Sequence, residues 1–222
     1  MKKLLPLLLL PIILSGCNAT CFYIYNLSNV ERPQNAKERY GEQKIINFDE
    51  KNENTYVYED DLIKISWFIG TNKFNFLLEN RSDYSIKIIW DDAAYVNTKG
   101  MSGRVVHSGI PLKDRNNFQP PTVIPKKSKI NDILIPTEKI IYGQNPYSSF
   151  TSSSGWYAHP IIPNIDYSKK ELCNKAATFI GKTIKILLPL QAEETVNDYI
   201  FTFYINDFII KKRSDDYQYS EF

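Results

Sequence analysis

Leu62-Ile63-Lys64-Ile65-Ser66-Trp67-Phe68-Ile69, then Gly70-Thr71-Asn72-Lys73, then Phe74-Asn75-Phe76-Leu77-Leu78-Glu79-Asn80 is the stretch that decides the fold. An Ile-rich run, four turn-forming residues and a partly alternating apolar run read as two antiparallel strands joined as a hairpin. Aromatic and β-branched residues suit a pleated surface packed on at least one face. The chain as a whole has that profile: Tyr 15, Phe 12 and Trp 3, with few glycines, point to sheets rather than long helices.

Toward the C-terminus the pattern repeats. Asn80-Arg81-Ser82-Asp83 turns into Ser85–Trp90, where Ile86, Ile88 and Trp90 share a face. Tyr95-Val96 and Arg104–His107 read as short strands around the turn Gly100-Met101-Ser102-Gly103. Prolines and Asn/Asp from Pro111 to Pro125 predict a long irregular loop. Lys129–Ile135 reads as a strand closed by Pro136, with Lys139–Tyr142 as a further candidate; Gln144–Ile165 reads as a second loop. Ser168–Thr178 carries the best helix signal, with Ser168 as N-cap and Glu171 at the capping-box position. Thr183–Leu190 and Asp198–Ile210 form two long closing strands.

Toward the N-terminus, Thr55–Tyr58 opens the body, and Phe22–Tyr25 is a candidate short strand. Ser28 to Asn54 is polar, with Pro33 and Gly41, and reads as a stalk with a helical stretch around Ala36–Tyr40. Eight or nine strands at roughly ten-residue spacing predict a mainly β chain: an antiparallel β-sandwich with one short helix near 168–178. This pattern, with Trp67 and Trp90 as core candidates, loosely resembles the immunoglobulin and fibronectin type III architecture; a closed barrel is the competitor. The expected division is 1–16 signal peptide, 17–54 stalk, 55–213 sandwich and 214–222 tail.

Met1-Lys2-Lys3 precedes Leu4–Leu14, an apolar run with two prolines, which has the pattern of an export signal. It is too short for a membrane span, which needs roughly 20 residues. The run ends in Leu14-Ser15-Gly16-Cys17, which resembles the lipobox of bacterial lipoproteins. That resemblance implies a diacylglyceryl thioether on Cys17, cleavage before it, and tethering to an envelope membrane. Asn18, where an Asp would favour inner-membrane retention in enterobacteria, implies the outer membrane. An ordinary secretory signal cut near Gly16 or Ala19 is the alternative.

The chain has 27 basic and 25 acidic residues. Lys2 and Lys3 lie in the signal, so the remainder is balanced at 25 each. A neutral chain argues against a nucleic-acid partner, which calls for a clustered basic footprint.

With Cys17 lipidated, Cys21 and Cys173 remain, and an oxidising compartment permits one disulfide between them or two unrelated thiols. No C-x-x-C occurs, and only His107 and His159 are present, so neither a metal nor a cofactor is expected.

Ser148–His159 is the most unusual stretch, and Trp156, Tyr157 and His159 are the candidate binding loop: aromatic faces can stack on a sugar or pack against a protein. The competing reading is a linker with Trp156 anchored in the core. A nucleophilic serine there lacks the G-x-S-x-G elbow, so no catalytic residue is assigned. Asp91-Asp92, Glu59-Asp60-Asp61, His107 and Lys211-Lys212-Arg213 read as turn, strand or solvated residues. The expectation is a non-enzymatic envelope lipoprotein contacting another envelope protein or a glycan. The alternatives are a hydrolase built on Asp91, Glu59 or His159, and an inhibitor or immunity-type protein.

Overall fold

The computed structural model describes residues 19–48, 55–146, 154–166 and 169–212. The expected signal, Cys17, most of the serine-rich segment and the expected C-terminal tail lie outside the described residues. The chain is mainly β and antiparallel throughout, as expected.

The N-terminal half supplies β1 (Ala19–Glu31), a one-turn helix α1 (Ala36–Tyr40), β2 (Lys44–Phe48), β3 (Thr55–Glu59), β4 (Ile63–Ile69) and β5 (Phe74–Asn80). Next come β6 (Ile86–Ile88), β7 (Ala94–Val96), β8 (Ser102–His107), β9 (Thr122–Ile124) and β10 (Lys129–Pro136). The chain closes with β11 (Ile140–Gln144), β12 (Ser154–Ala158), β13 (Ile165–Asp166), α2 (Lys169–Ala177), β14 (Thr183–Ala192) and β15 (Thr195–Lys212).

The hairpin that opened the sequence reading forms as expected. β4 and β5 pair from Ile63 opposite Asn80 to Ile69 opposite Phe74, and Gly70 N–H closes the turn on the Lys73 carbonyl at 2.9 Å. α2 falls within the expected 168–178, its N-cap candidate Ser168 lying outside the described residues, and Leu172 and Ala176 are buried along it.

Thirteen strands make one sheet, in the order β13-β1-β15-β14-β7-β8-β10-β5-β4-β3-β2, with β6 and β9 branching from β14. Its two halves face each other and form a nearly closed, barrel-like wall. β8 is the corner: Ser102–Arg104 pair with β7, whereas Val105–His107 pair with β10. One six-residue strand thus belongs to both layers, which makes the wall continuous.

The seam opposite that corner is closed by side chains. The Asn47 amide of β2 accepts from Leu27 N–H at 2.9 Å and donates to the Leu27 carbonyl at 3.4 Å, standing in for a strand backbone. The Tyr56 hydroxyl accepts from Tyr25 N–H at 3.1 Å. Two of the strand's inner-edge N–H groups are thereby satisfied, and an open edge that would template further pairing is blunted.

Large side chains fill the interior. Trp67 meets Phe76, Phe201 and Phe203 with ring centroids 5.1–5.8 Å apart, and Tyr58 meets Tyr199 and Phe201 at 5.9 and 5.7 Å. The geometry is mostly edge-to-face, the arrangement that aligns ring quadrupoles favourably. Burying each such ring removes about 150–250 Å² from water, on the order of 4–6 kcal/mol of transfer free energy.

The expected stalk is corrected by the structure. Residues 19–48 are not a leader: β1 pairs with β15 along its whole length, from Ala19 opposite Lys212 to Glu31 opposite Ile200, and α1 buries Ala36 and Tyr40. The polar composition of 28–48 misled because half of these residues face outward or serve closure. Arg32, for example, reaches the buried Asp60 carboxylate at 3.5 Å. The second expected loop, Gln144–Ile165, likewise contains two strands, β12 and β13.

Candidate functional site

β11 and β12 form a separate two-stranded sheet, paired from Ile140 opposite Ala158 to Gln144 opposite Ser154. Strand side chains alternate between faces, so Ile140, Tyr142, Ala158 and Trp156 share one face. At the base, Ile140 and Ala158 join Val106 and Ile135 in a small second core, supported by Ile110, Leu112 and Ile133. Farther out on the same face, Tyr142 stands directly opposite Trp156, with ring centroids 5.4 Å apart at 63°.

These outer rings are not buried: Tyr142 is 62% exposed and Trp156 38% exposed. The Arg115 guanidinium lies 4.5 Å from the Trp156 ring centroid, and its Nη1 donates to the Leu112 carbonyl. This cation–π contact orients both groups. On the opposite face Gly143 pairs with Gly155, and a Cβ at either would meet nothing within 4 Å. The hairpin therefore presents an aromatic face with a fixed cation on one side and, at the Gly143–Gly155 pair, bare backbone on the other.

Of the three expected binding residues, Trp156 lies on the aromatic face. Tyr157 lies on the opposite one, its ring 5.3 Å from that of His159, whose N–H donates to the Lys139 carbonyl at 2.8 Å. Tyr142 and Arg115 were missed because the sequence gives no sign that 142 stands opposite 156. Nor does a Pro/Asn/Asp loop announce where its arginine stacks. Compared with family models, curated proteins and solved structures, the chain matches none. The reading of this site rests on its geometry.

The acidic candidates separate. Asp91, in the short 3-10 turn Trp90–Asp92, is held by Arg104 Nη2 at 2.8 Å and accepts from Gln119 N–H. Glu59 faces Lys44, Lys64 and Arg81 at 3.8–4.0 Å. Asp60 is buried. Its Oδ2 accepts from the Tyr58 and Tyr199 hydroxyls at 2.7 and 3.0 Å, and its Oδ1 from the N–H groups of Leu62 and Ile63. Burial, reinforced by the Asp60 charge, pushes both tyrosine hydroxyls far above their ordinary ionisation range. Asp60 is thus a structural knot between β3, β15 and Arg32.

His107 has a more particular setting. Its ring stacks on Trp90 at 4.2 Å and 2°, and its Nδ1 lies 3.3 Å from Asp132 Oδ2. The other Asp132 oxygen accepts from the Ser108 hydroxyl at 2.5 Å and from the Ser108 and Ile133 N–H groups. Burial works to raise the Asp132 pKa, but the hydrogen bonds from His107, Ser108 and Ile133 outweigh it and hold the carboxyl below 3.8. His107 Nε2 has no protein partner among the described residues. Ser108 bonds the carboxylate and not Nε2, so the three groups lack the hydroxyl-to-imidazole link of an activated serine.

Among the described residues no three His, Cys, Asp or Glu side chains gather as metal ligands. No helix among them is long and apolar enough to cross a membrane.

Proposed function

We propose that this chain is a non-enzymatic envelope lipoprotein whose β body engages another envelope protein through the Tyr142–Trp156–Arg115 face of the β11–β12 hairpin. The observation that carries the reading is that face: two aromatic rings and a guanidinium held together outside the core. Trp, Tyr and Arg are the residue types in which binding free energy concentrates at protein interfaces. A glycan, stacking on the same rings, is the other partner class the surface suits. An immunoglobulin-like arrangement of the two facing layers belongs to the same proposal, supported by the packing of Trp67 on Phe201 and Phe203.

The lipobox resemblance supports acylation at Cys17 and, with Asn18, the outer membrane. Ala19, already in β1 and paired with β13 beside α2, is two positions from Cys17 in sequence. Two residues span at most about 7 Å, so the α2 end of the body sits against the bilayer surface.

Fatty-acid labelling of cells tests the anchor: the wild-type chain takes up label and Cys17→Ser does not. Crosslinking in intact envelopes tests the partner. A captured protein should be lost when Trp156 and Tyr142 are both changed to alanine, with the thermal midpoint little altered. Capture unaffected by those changes, or turnover of glycoside, ester or peptide substrates by purified protein, would sink the proposal.

A further inference from the structure

β15 outruns its neighbours. β14 accompanies it only to Tyr204, whereas β1 follows it to Lys212, so the lower half of β1 and β15 extends beyond β14 as a ribbon that β13 joins at Ala19 and Thr20. A shift in register between Ile24 and Tyr25 marks where the ribbon leaves the barrel. One side of that ribbon is covered by α2, which packs against β1, β13 and β15. Cys21 lies in this ribbon and is 2% exposed; Cys173 is on α2, between the buried Leu172 and Ala176, and is half-buried.

The approach is fixed at several points. Cys21 N–H donates to the Asn164 carbonyl at 2.7 Å, immediately before β13 leads into α2. Tyr23, two residues on and on the same strand face, donates to the Pro163 carbonyl at 2.8 Å. The Tyr23 ring meets Phe179, just beyond α2, edge-on at 5.9 Å. Two cysteines 152 positions apart are therefore carried to one covered patch by elements that have their own reasons to dock.

We infer that Cys21 and Cys173, both free thiols in this structure, are a latent disulfide pair that an external disulfide oxidant closes, clamping α2 onto the ribbon beside the anchor. The oxidant is a low-molecular-weight or protein disulfide, RS–SR. Cys173, the more accessible of the two, attacks one RS–SR sulfur as thiolate and expels RS⁻. The Cys21 sulfur, after losing its proton, attacks the Cys173 sulfur of that mixed disulfide and expels the second RS⁻. Two protein thiols are oxidised to one S–S bond, and RS–SR is reduced to two RSH.

The order follows from environment. Burial, opposed by a hydrogen bond with Tyr23 and aided by the nearby Cys173, pushes the Cys21 thiol up to about 12. Cys21 is therefore a poor first nucleophile, and it needs the partner sulfur delivered to it.

Closure in the test tube depends on this geometry alone; closure in the cell also rests on the envelope reading. The full chain carrying Cys17→Ser, so that only the two thiols remain, is equilibrated with glutathione buffers and analysed by intact mass and peptide mapping. The folded chain should lose two hydrogens and yield a Cys21–Cys173 crosslinked peptide. Closure should occur at an oxidised-to-reduced ratio roughly a hundredfold lower than in the urea-unfolded chain, since what the bond adds to the fold the fold adds to the bond. The thermal midpoint of the oxidised form should rise by roughly 5–15 °C. Cys21→Ser should instead hold glutathione at Cys173. Two thiols persisting in the folded chain, or glutathione retained stably at Cys173 with Cys21 free, would overturn the pairing.

Discussion

Trp67 and Trp156 are the same side chain in opposite circumstances. Trp67 sits at the centre of the barrel with Phe76, Phe201 and Phe203 around it and no exposed surface. Trp156 stands on a hairpin outside the main sheet, and among the described residues its ring meets Tyr142 and Arg115. Both are strand residues, and both have an aromatic residue directly opposite on the paired strand: Phe76 in one case, Tyr142 in the other. The difference is what lies above the sheet. β4 has a second layer over it, and among the described residues the outer end of β11–β12 has none. Free energy of burial therefore concentrates in the first region, and exposed aromatic surface in the second.

The contrast can be broken hardest at its centre. Trp67→Ala should cost about 3–5 kcal/mol, read as a fall in the urea midpoint at unchanged slope. A cost under about 1 kcal/mol would mean the two layers do not meet there. Asp60 is the polar counterpart of the same interior. Asp60→Ala would leave two tyrosine hydroxyls, two N–H groups and Arg32 without their acceptor. We expect a loss of about 3 kcal/mol.

Asp132 lies between the two regions, against the strand that turns the corner. Hydrogen bonds from His107, Ser108 and Ile133 hold its folded pKa below the ordinary aspartate value. A depressed carboxylate contributes stability that is full above its unfolded value and disappears as pH falls through the folded one. Asp132→Asn should cost about 1–2 kcal/mol at neutral pH. The gap between variant and wild type should narrow as pH is taken below 3.8. A gap independent of pH would show that the carboxylate charge plays no part. The smallest effect belongs to the surface: Trp156→Ala should cost less than about 1 kcal/mol, checked by thermal unfolding, while removing partner capture. A large loss of stability would make Trp156 a core anchor after all.

Much of the fold could be read from local chemistry. The β4–β5 hairpin announced itself by turn residues between two apolar runs, and α2 by its capping box and alanines. β1 did not, although Phe22–Tyr25 hinted at it. Its strand continues through Asn26, Ser28 and Asn29, whose polarity resembles a linker. Asn26 and Ser28 lie on the outward face, and Asn29 sits by a register shift at Leu27, so alternation fails as a guide. β12 was hidden by serine and glycine, which carry little strand preference of their own and are ordered there by pairing with β11.

What the chain alone determined is what depends on neighbours in sequence: the antiparallel β class, the turns, the helix, the balanced charge, and the lipobox resemblance at Cys17. What only the tertiary structure decided is what depends on neighbours in space. A stretch that reads as a stalk became wall because its closing partners, Asn47, Tyr56 and the length of β15, lie 20 to 193 positions away. Trp156 acquired Tyr142 and Arg115, and Cys21 acquired Cys173, for the same reason. Hydrogen bonds and ring contacts act over a few ångströms, and only the folded chain sets which residues fall within that reach.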